Sequence, residues 1–210
     1  CGFDRVFDTN FAADLTIIEE GVELLIRLHR ALVQKDPAAV LPQFTSCSPG
    51  WVRYIEAHRP EMIPYLSTCK SPQQMMGALI KECWPKQFDT QGRRIYSVSI
   101  MPCTAKKYEA QVLGDIDAVL TTREVDELLR RFGMKFTPKG PKAPLDVPFA
   151  EATGAGRIFG GTGGVMEAAI AVDKALAAAD KAALFKTFAK VIAQQNGYMA
   201  TFMAKCSKDW

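Results

Sequence analysis

Apolar residues recur at near-helical spacing from Asp14 to about Gln34, at Leu15, Ile18, Val22, Leu25, Ile26 and Leu32. This period predicts a long helix. Ahead of it, Val6-Phe7 and the flanking residues predict a short strand, and Pro42 to Thr45 predict another. Ser48-Pro49 and Ser71-Pro72 each put a proline where a first helical turn tolerates it. Helices are therefore predicted from Trp51 to about Arg59 and from Gln73 to Trp84. The pattern changes at Arg93 to Ile100 (RRIYSVSI), which alternates in its second half, and at Asp115 to Thr122 (DIDAVLTT). Both predict strands, the second leading directly into a helix from Arg123 to Phe132. Thr137 to Pro148 holds Pro138, Pro141, Pro144 and Pro148 and predicts a loop. A glycine-rich stretch, Gly154 to Gly164, precedes a helix starting near Val165. Further on, Leu176, Ala183, Phe185, Phe188 and Ile192 fall partly on one face of an amphipathic helix. Alternating strands and helices predict an α/β fold, with a mainly parallel sheet and flanking helices.

Composition narrows the possible partners. The chain has 210 residues, 48% of them hydrophobic, which supports one substantial core or two small lobes. Lys+Arg 26 against Asp+Glu 23 gives a net charge of +3, too weak to predict a nucleic-acid or anionic-membrane partner. No apolar run approaches the roughly 18 residues of a membrane span. The opening CGFDRVFDTN has no Met, basic region or apolar signal core, and reads as a chain cut just before a strand. The six cysteines, Cys1, Cys47, Cys69, Cys83, Cys103 and Cys206, are widely spread and form no Cys-x-x-Cys pair. That pattern predicts free thiols in a reducing compartment, hence a cytoplasmic location.

Candidate chemistry gathers where Cys47 and Cys103 follow predicted strands, the place where open α/β sheets carry their ligands. The strings are TSCSPGW and MPCTAKKYE. Iron–sulfur clusters need thiolates on backbone that can approach closely, and a nearby lysine favours a thiolate or an anionic ligand. A cysteine at a strand end also reads as a small buried hydrophobe. Glu20, Glu23 and Arg27, spaced i, i+3 and i+7, share one helical face, which by itself reads as a solvated salt-bridged surface. Gly154-Ala155-Gly156 followed by Gly160 misses dinucleotide-binding spacing. His29 and His58 read as surface residues, Cys69 and Cys83 as structural.

TSCSPGW, SPQQM and MPCTAKKYE, in this order and spacing, resemble the first two signature motifs of the iron-only ([FeFe]) hydrogenase large subunit and the segment between them. FDTNFAADLTIIEEG, DIDAVLTTRE and TGAGRIFGGTGGVMEAA resemble that family as well, so the likeness runs from Cys1 to about Ile170. It implies the hydrogenase catalytic-domain fold and an H-cluster, a [4Fe-4S] cube joined through a cysteine to a di-iron subcluster carrying CO and cyanide. The implied reaction is 2H⁺ + 2e⁻ ⇌ H₂, with protons and H₂ as substrates and ferredoxin or NADH-linked carrier subunits or domains exchanging electrons. By matching position, Cys103 is a cube ligand and Lys106 donates hydrogen bonds to a cyanide. Ser71, Gln73, Met101 and Phe159 line the di-iron pocket, Phe159 reading equally as core packing. The family pattern is TSCCPGW, so Cys47 falls at the proton-relay thiol and Ser48 where a ligand is expected. Either a serinate binds or Cys47 takes over ligation. Glu23, Ser67, Glu20 and Arg27 match the rest of the family's proton pathway.

The last two cube ligands come from a third motif in the family, and nothing here matches it; Cys206 lies in AKCSKDW without a second cysteine or a glycine run. The tail resembles a glutamine synthetase segment, with the changeover near Glu167 to Asp173. The expected organisation is thus a partial hydrogenase catalytic domain over residues 1–170 and a helical tail of foreign resemblance over 171–210. A rival expectation is an iron–sulfur sensor or assembly protein on the same fold, with a cube and no di-iron unit. Lys106 and SPQQ speak for the hydrogenase, Ser48 for the rival. A third is an inert product of fusion or truncation.

Overall fold

The computed structural model describes residues 2–134, 143–161 and 163–168. Helix α1 spans Thr9–Leu32. It starts five residues before the predicted point because the Asp8 carboxylate accepts the Asn10 N–H at 2.9 Å and caps the first turn. Ala12, Ala13, Thr16, Ile17 and Glu20 form its buried face. Ile18, Val22, Leu25, Ile26, Leu32 and Val33 make an apolar stripe, each residue at least 42% exposed. At about 100° per residue this stripe lies roughly opposite Glu20, Glu23 and Arg27.

Helix α2 (Pro49–His58) has Pro49 in its first turn, as predicted, and leads into a tight turn of helix at Pro60–Tyr65. Helix α3 (Pro72–Ala78) is capped by Ser71 and continues through a widened turn, Leu79–Cys83, into α4 (Trp84–Gln87). The two strands, β1 (Val98–Met101) and β2 (Ala118–Thr121), are parallel, with Val98 opposite Ala118 and Met101 opposite Thr121. Helix α5 (Ala105–Leu113) makes the crossover between them and ends at Gly114, whose φ of 76° is easy only for glycine. Helix α6 (Thr122–Arg131) starts in a reciprocal capping box between Thr121 and Glu124. This β–α–β unit is the α/β element that strand and helix alternation predicted.

Three expectations change. Val6-Phe7 is extended without being a strand: Val6 N–H donates to the Asp146 carboxylate at 2.7 Å, so a side chain replaces the carbonyl that a ladder needs. Pro42 to Thr45 shrinks to one parallel bridge, Phe44 with Leu66. Residues 93–97 stay outside β1 because both the backbone N–H and the hydroxyl of Ser97 are taken by Asp117. Within the glycine-rich stretch, Gly154–Phe159 is helix α7, capped by Thr153. Gly156 permits it, since a Cβ there would lie 2.6 Å from the Asn10 carbonyl oxygen on α1. Residues 143–148 carry no helix or strand, whereas 137–142, the start of the predicted loop, lie outside the described residues. So do the predicted tail helix, the expected 171–210 unit, Cys1 and Cys206.

The core is divided. Ala12, Met76 and Phe149 gather Phe7, Phe11, Met75, Leu79, Ile80 and Trp84 between α1 and α3–α4. Ile17, Ala155 and Ala168 pack with Phe159 where α7 meets α1. Ala110, Ile116, Val119 and Met101 fill the β–α–β unit. Where the first and third groups adjoin, Gly77 of α3 lets the chain entering β2 pass close by.

Candidate functional site

The first half of the site is built on α5. Lys106, in its first turn, donates to the Cys47 carbonyl at 2.7 Å and to Glu109 Oε2 at 3.1 Å. The two side chains are only 12% and 8% exposed. Glu109 Oε2 also accepts from Ser71 Oγ (2.9 Å) and Gln73 Nε2 (3.2 Å) of the α3 start. Gln73 Nε2 reaches the Lys106 carbonyl at 3.1 Å, while Gln73 Oε1 accepts from Ser99 Oγ on β1 at 2.7 Å. The amide is held at both ends, and α3, β1 and α5 are tied to one carboxylate. An ammonium has three N–H donors, and two of Lys106's are committed to these partners. A cavity of 1220 Å³ opens here, with Cys47, Gln73, Met101, Pro102, Lys106 and Phe159 in its wall. Phe159 lines it and packs against Ile17, Ala155 and Ala168, so both of its expected roles coexist.

The second half is the α1 face. Arg27 donates to Glu23 Oε1 through Nη2 (2.6 Å) and Nε (3.1 Å), and to the carbonyls of Pro64 (3.2 Å) and Leu66 (2.7 Å). Glu23 Oε2 accepts from Ser67 Oγ at 2.7 Å and Thr68 N–H at 3.0 Å. These donors hold the Glu23 carboxyl below its usual range despite the opposing effect of burial. Glu20 is shifted the other way: burial, with a smaller push from Glu23, raises it against hydrogen bonds from Ser46 and Ser67. Burial, then the charge of Glu20, pushes the Cys47 thiol up, and Lys106 offsets part of this. The neighbouring carboxyls are thus driven apart, the arrangement by which one group keeps a proton and the other gives it up.

This asymmetry has a measurable sign. Because Glu20 is raised in the folded state, its ionised form destabilises the fold above the raised value and costs nothing below the unfolded value. Glu20→Gln, which keeps an acceptor for Ser46, is expected to raise stability at pH 7. The gain should vanish as pH falls through the Glu20 transition, in denaturant titrations run from pH 8 to pH 4.

The structure brings together every candidate on the α1 and α5 sides. Cys103 follows β1 and is exposed, and Ser48 is exposed at the N-terminus of α2 without a capping bond. Among the described residues, no group of three or more His, Cys, Asp or Glu side chains stands ready to hold a metal ion. Two further residues take part. Glu109 is the hub of the Lys106 half, signalled only by its i+3 spacing from Lys106. Cys69, read as structural, is half-buried with Sγ 3.7 Å from Glu23 Oε2, two residues along an extended segment from Ser67. Burial raises that thiol as well. Cys83 is half-buried and His29 and His58 are exposed.

Comparisons with known proteins bear on the family and the fold. The family model for the iron only hydrogenase large subunit, C-terminal domain, matches residues 1–204. The periplasmic [Fe] hydrogenase large subunit of Nitratidesulfovibrio vulgaris is 47% identical over 80% of this chain and 40% of its own length. The NADP-reducing hydrogenase subunit HndD of Solidesulfovibrio fructosivorans is 48% identical over 80% of this chain and 30% of its own. The cytosolic Fe-S cluster assembly factor narfl of Xenopus tropicalis is 36% identical over 79% and 37%. The chain therefore spans well under half the length of these relatives. A variant of the apo [FeFe]-hydrogenase HydA1 of Chlamydomonas reinhardtii superposes with a TM-score of 0.65 at 43% identity, over 80% of this chain and 43% of that one. Fold, motifs and relatives place the chain in the iron-only hydrogenase large-subunit family.

Proposed function

We propose that this chain is part of an [FeFe] hydrogenase that interconverts protons, electrons and H₂ at an H-cluster. One observation carries the reading: the Lys106–Glu109 pair beside Cys47 adjoins a cavity on one side and a graded pair of carboxyls on the other. The residues fit the di-iron side of such a cluster, since a held ammonium and a locked amide border the cavity. They supply half of the cube's ligands, Cys103 with Cys47 or Ser48, and Lys106 would face a cyanide. When bound, the cluster supplies the iron at which protons and electrons combine.

The chain's own residues manage the proton. The Cys47 thiol, held neutral by burial and by Glu20, is a donor at the cavity. In this reading Ser67, which donates to Glu23 Oε2 at 2.7 Å, gives its proton to Glu23 and takes one from Glu20, and the Arg27 guanidinium keeps Glu23 ionised to receive it. Ferredoxin or an NADH-linked carrier is the electron partner in this reading. The NADP-reducing subunit among the relatives supports a carrier-linked role.

One feature favours a second reading. Ser48, exposed where the family pattern has a ligating cysteine, suits an iron–sulfur assembly role, which the narfl match supports. The full-length polypeptide that contains this chain, matured with its cluster, separates the two. CO and cyanide stretching bands in the infrared are expected, together with H₂ turnover. Their absence from protein that has taken up iron would sink the hydrogenase reading and leave the assembly one. Cys103→Ala in the same protein is expected to remove most of the bound cube iron.

A further inference from the structure

The parallel bridge at Phe44 stops for a reason that bears on the relay. Phe44 N–H donates to the Tyr65 carbonyl and Ser67 N–H to the Phe44 carbonyl, each at 2.7 Å. A parallel ladder continued by one more step would send Ser46 N–H to the Ser67 carbonyl and Cys69 N–H to the Ser46 carbonyl. Neither bond forms, and both donors turn to side chains. Ser46 N–H points to Glu20 Oε1 at 3.4 Å, and Cys69 N–H donates to Ser67 Oγ at 3.1 Å. The Ser46 hydroxyl takes over the joining of the two segments by donating to the Cys69 carbonyl at 2.9 Å. One residue thus touches Glu20 through its backbone and the Ser67–Cys69 segment through its side chain, and it directly precedes Cys47.

We propose that Ser46 is the positioning residue of the proton route, a strut that fixes the Cys47 corner against Glu20 and the Ser67–Cys69 segment where the ladder has opened. The inference rests on the hydrogenase reading for its purpose and on the hydrogen bonds alone for its geometry. Without the hydroxyl, the Phe44 bridge, the long Glu20 contact and the Lys106 bond to the Cys47 carbonyl remain, and only the bridge still ties this stretch to the Ser67–Cys69 segment. The backbone at Ser46 and Cys47 is then free to part from the Ser67–Cys69 segment.

The test is residue-level amide exchange at Phe44, Ser46, Ser67 and Cys69, on the cluster-free chain. Ser46→Ala is expected to speed exchange at Ser46 and Cys69 about threefold or more, while Phe44 N–H, bonded to the Tyr65 carbonyl, keeps its protection. Ser46→Thr, which keeps the hydroxyl, is expected to restore the unmutated profile. A Ser46→Ala profile that superposes on the unmutated one, with native circular dichroism retained, overturns the proposal. Should Ser46→Ala fail to fold, residue-level amide exchange on the unmutated chain decides. Ser46 N–H is expected to be protected along with Phe44 and Ser67, and Glu20→Ala to release Ser46 alone; an unprotected Ser46 overturns the proposal. These readouts need no cluster. Their failure removes the strut and leaves the hydrogenase reading intact, while missing infrared bands do the reverse.

Discussion

Glu109→Ala is expected to lower the free energy of unfolding by about 3–5 kcal/mol, the usual penalty for stranding one partner of a buried ion pair. Three donors converge on Glu109 Oε2, from Lys106, Ser71 and Gln73. Alanine removes the acceptor for all three and leaves the ammonium with the Cys47 carbonyl as its remaining partner. Denaturant titration of the two proteins side by side measures the loss. Adding Lys106→Met to Glu109→Gln should recover part of it, because the neutral pair no longer requires a counter-charge. A loss below about 1 kcal/mol for Glu109→Ala would place the pair with weakly coupled surface bridges and remove the rigidity attributed to it.

The second large effect is expected from Gly77→Ala. A Cβ at this position would lie 2.5 Å from the Asp115 carbonyl oxygen and 2.8 Å from Ile116 Cδ1. The first contact is with backbone and cannot swing aside. Overpacking of this kind costs about 1–3 kcal/mol, and it outweighs the roughly 1 kcal/mol that alanine gains over glycine in a helix. Gly21 on α1 meets nothing within 4 Å, so Gly21→Ala should stabilise by about 0.5–1 kcal/mol. Opposite shifts in the two melting temperatures check the argument. If Gly77→Ala also raises the melting temperature, α3 does not press on the β2 entrance as described. Since α3 begins at Ser71 and Gln73, a forced retreat would also loosen their hold on Glu109.

Much of this was legible along the chain because it depended on local rules. The Glu20–Glu23–Arg27 face follows from helical period, the start of α3 from Ser71-Pro72, and β1 and β2 from two β-rich strings, whereas the helix α5 between them was not predicted. What escaped depended on partners distant in sequence. The Val6-Phe7 strand failed because Asp146, 140 residues away, supplies a carboxylate to its backbone. Gly154–Phe159 was given no element because of its glycines, yet Gly156 lets a helix sit against Asn10 and Asp14 of α1. Glu109 looked like one more charge on α5 until α3 brought two further donors to it. Cys69 looked structural because nothing in its neighbours announced a carboxylate from α1. The opening of the ladder at Ser46 needed three segments in place before it could be seen.

The apolar stripe on the far side of α1 has a thermal consequence. Ile18, Val22, Leu25, Ile26, Leu32 and Val33 are already about half exposed to water in the folded chain, so unfolding newly hydrates only about half of their surface. The heat capacity of unfolding grows with newly wetted apolar surface, at about 0.45 cal/K/mol per Å². This helix therefore adds less to it than its hydrophobic content suggests. A smaller heat-capacity change flattens the dome of stability against temperature, and it weakens the curvature that drives proteins toward unfolding in the cold.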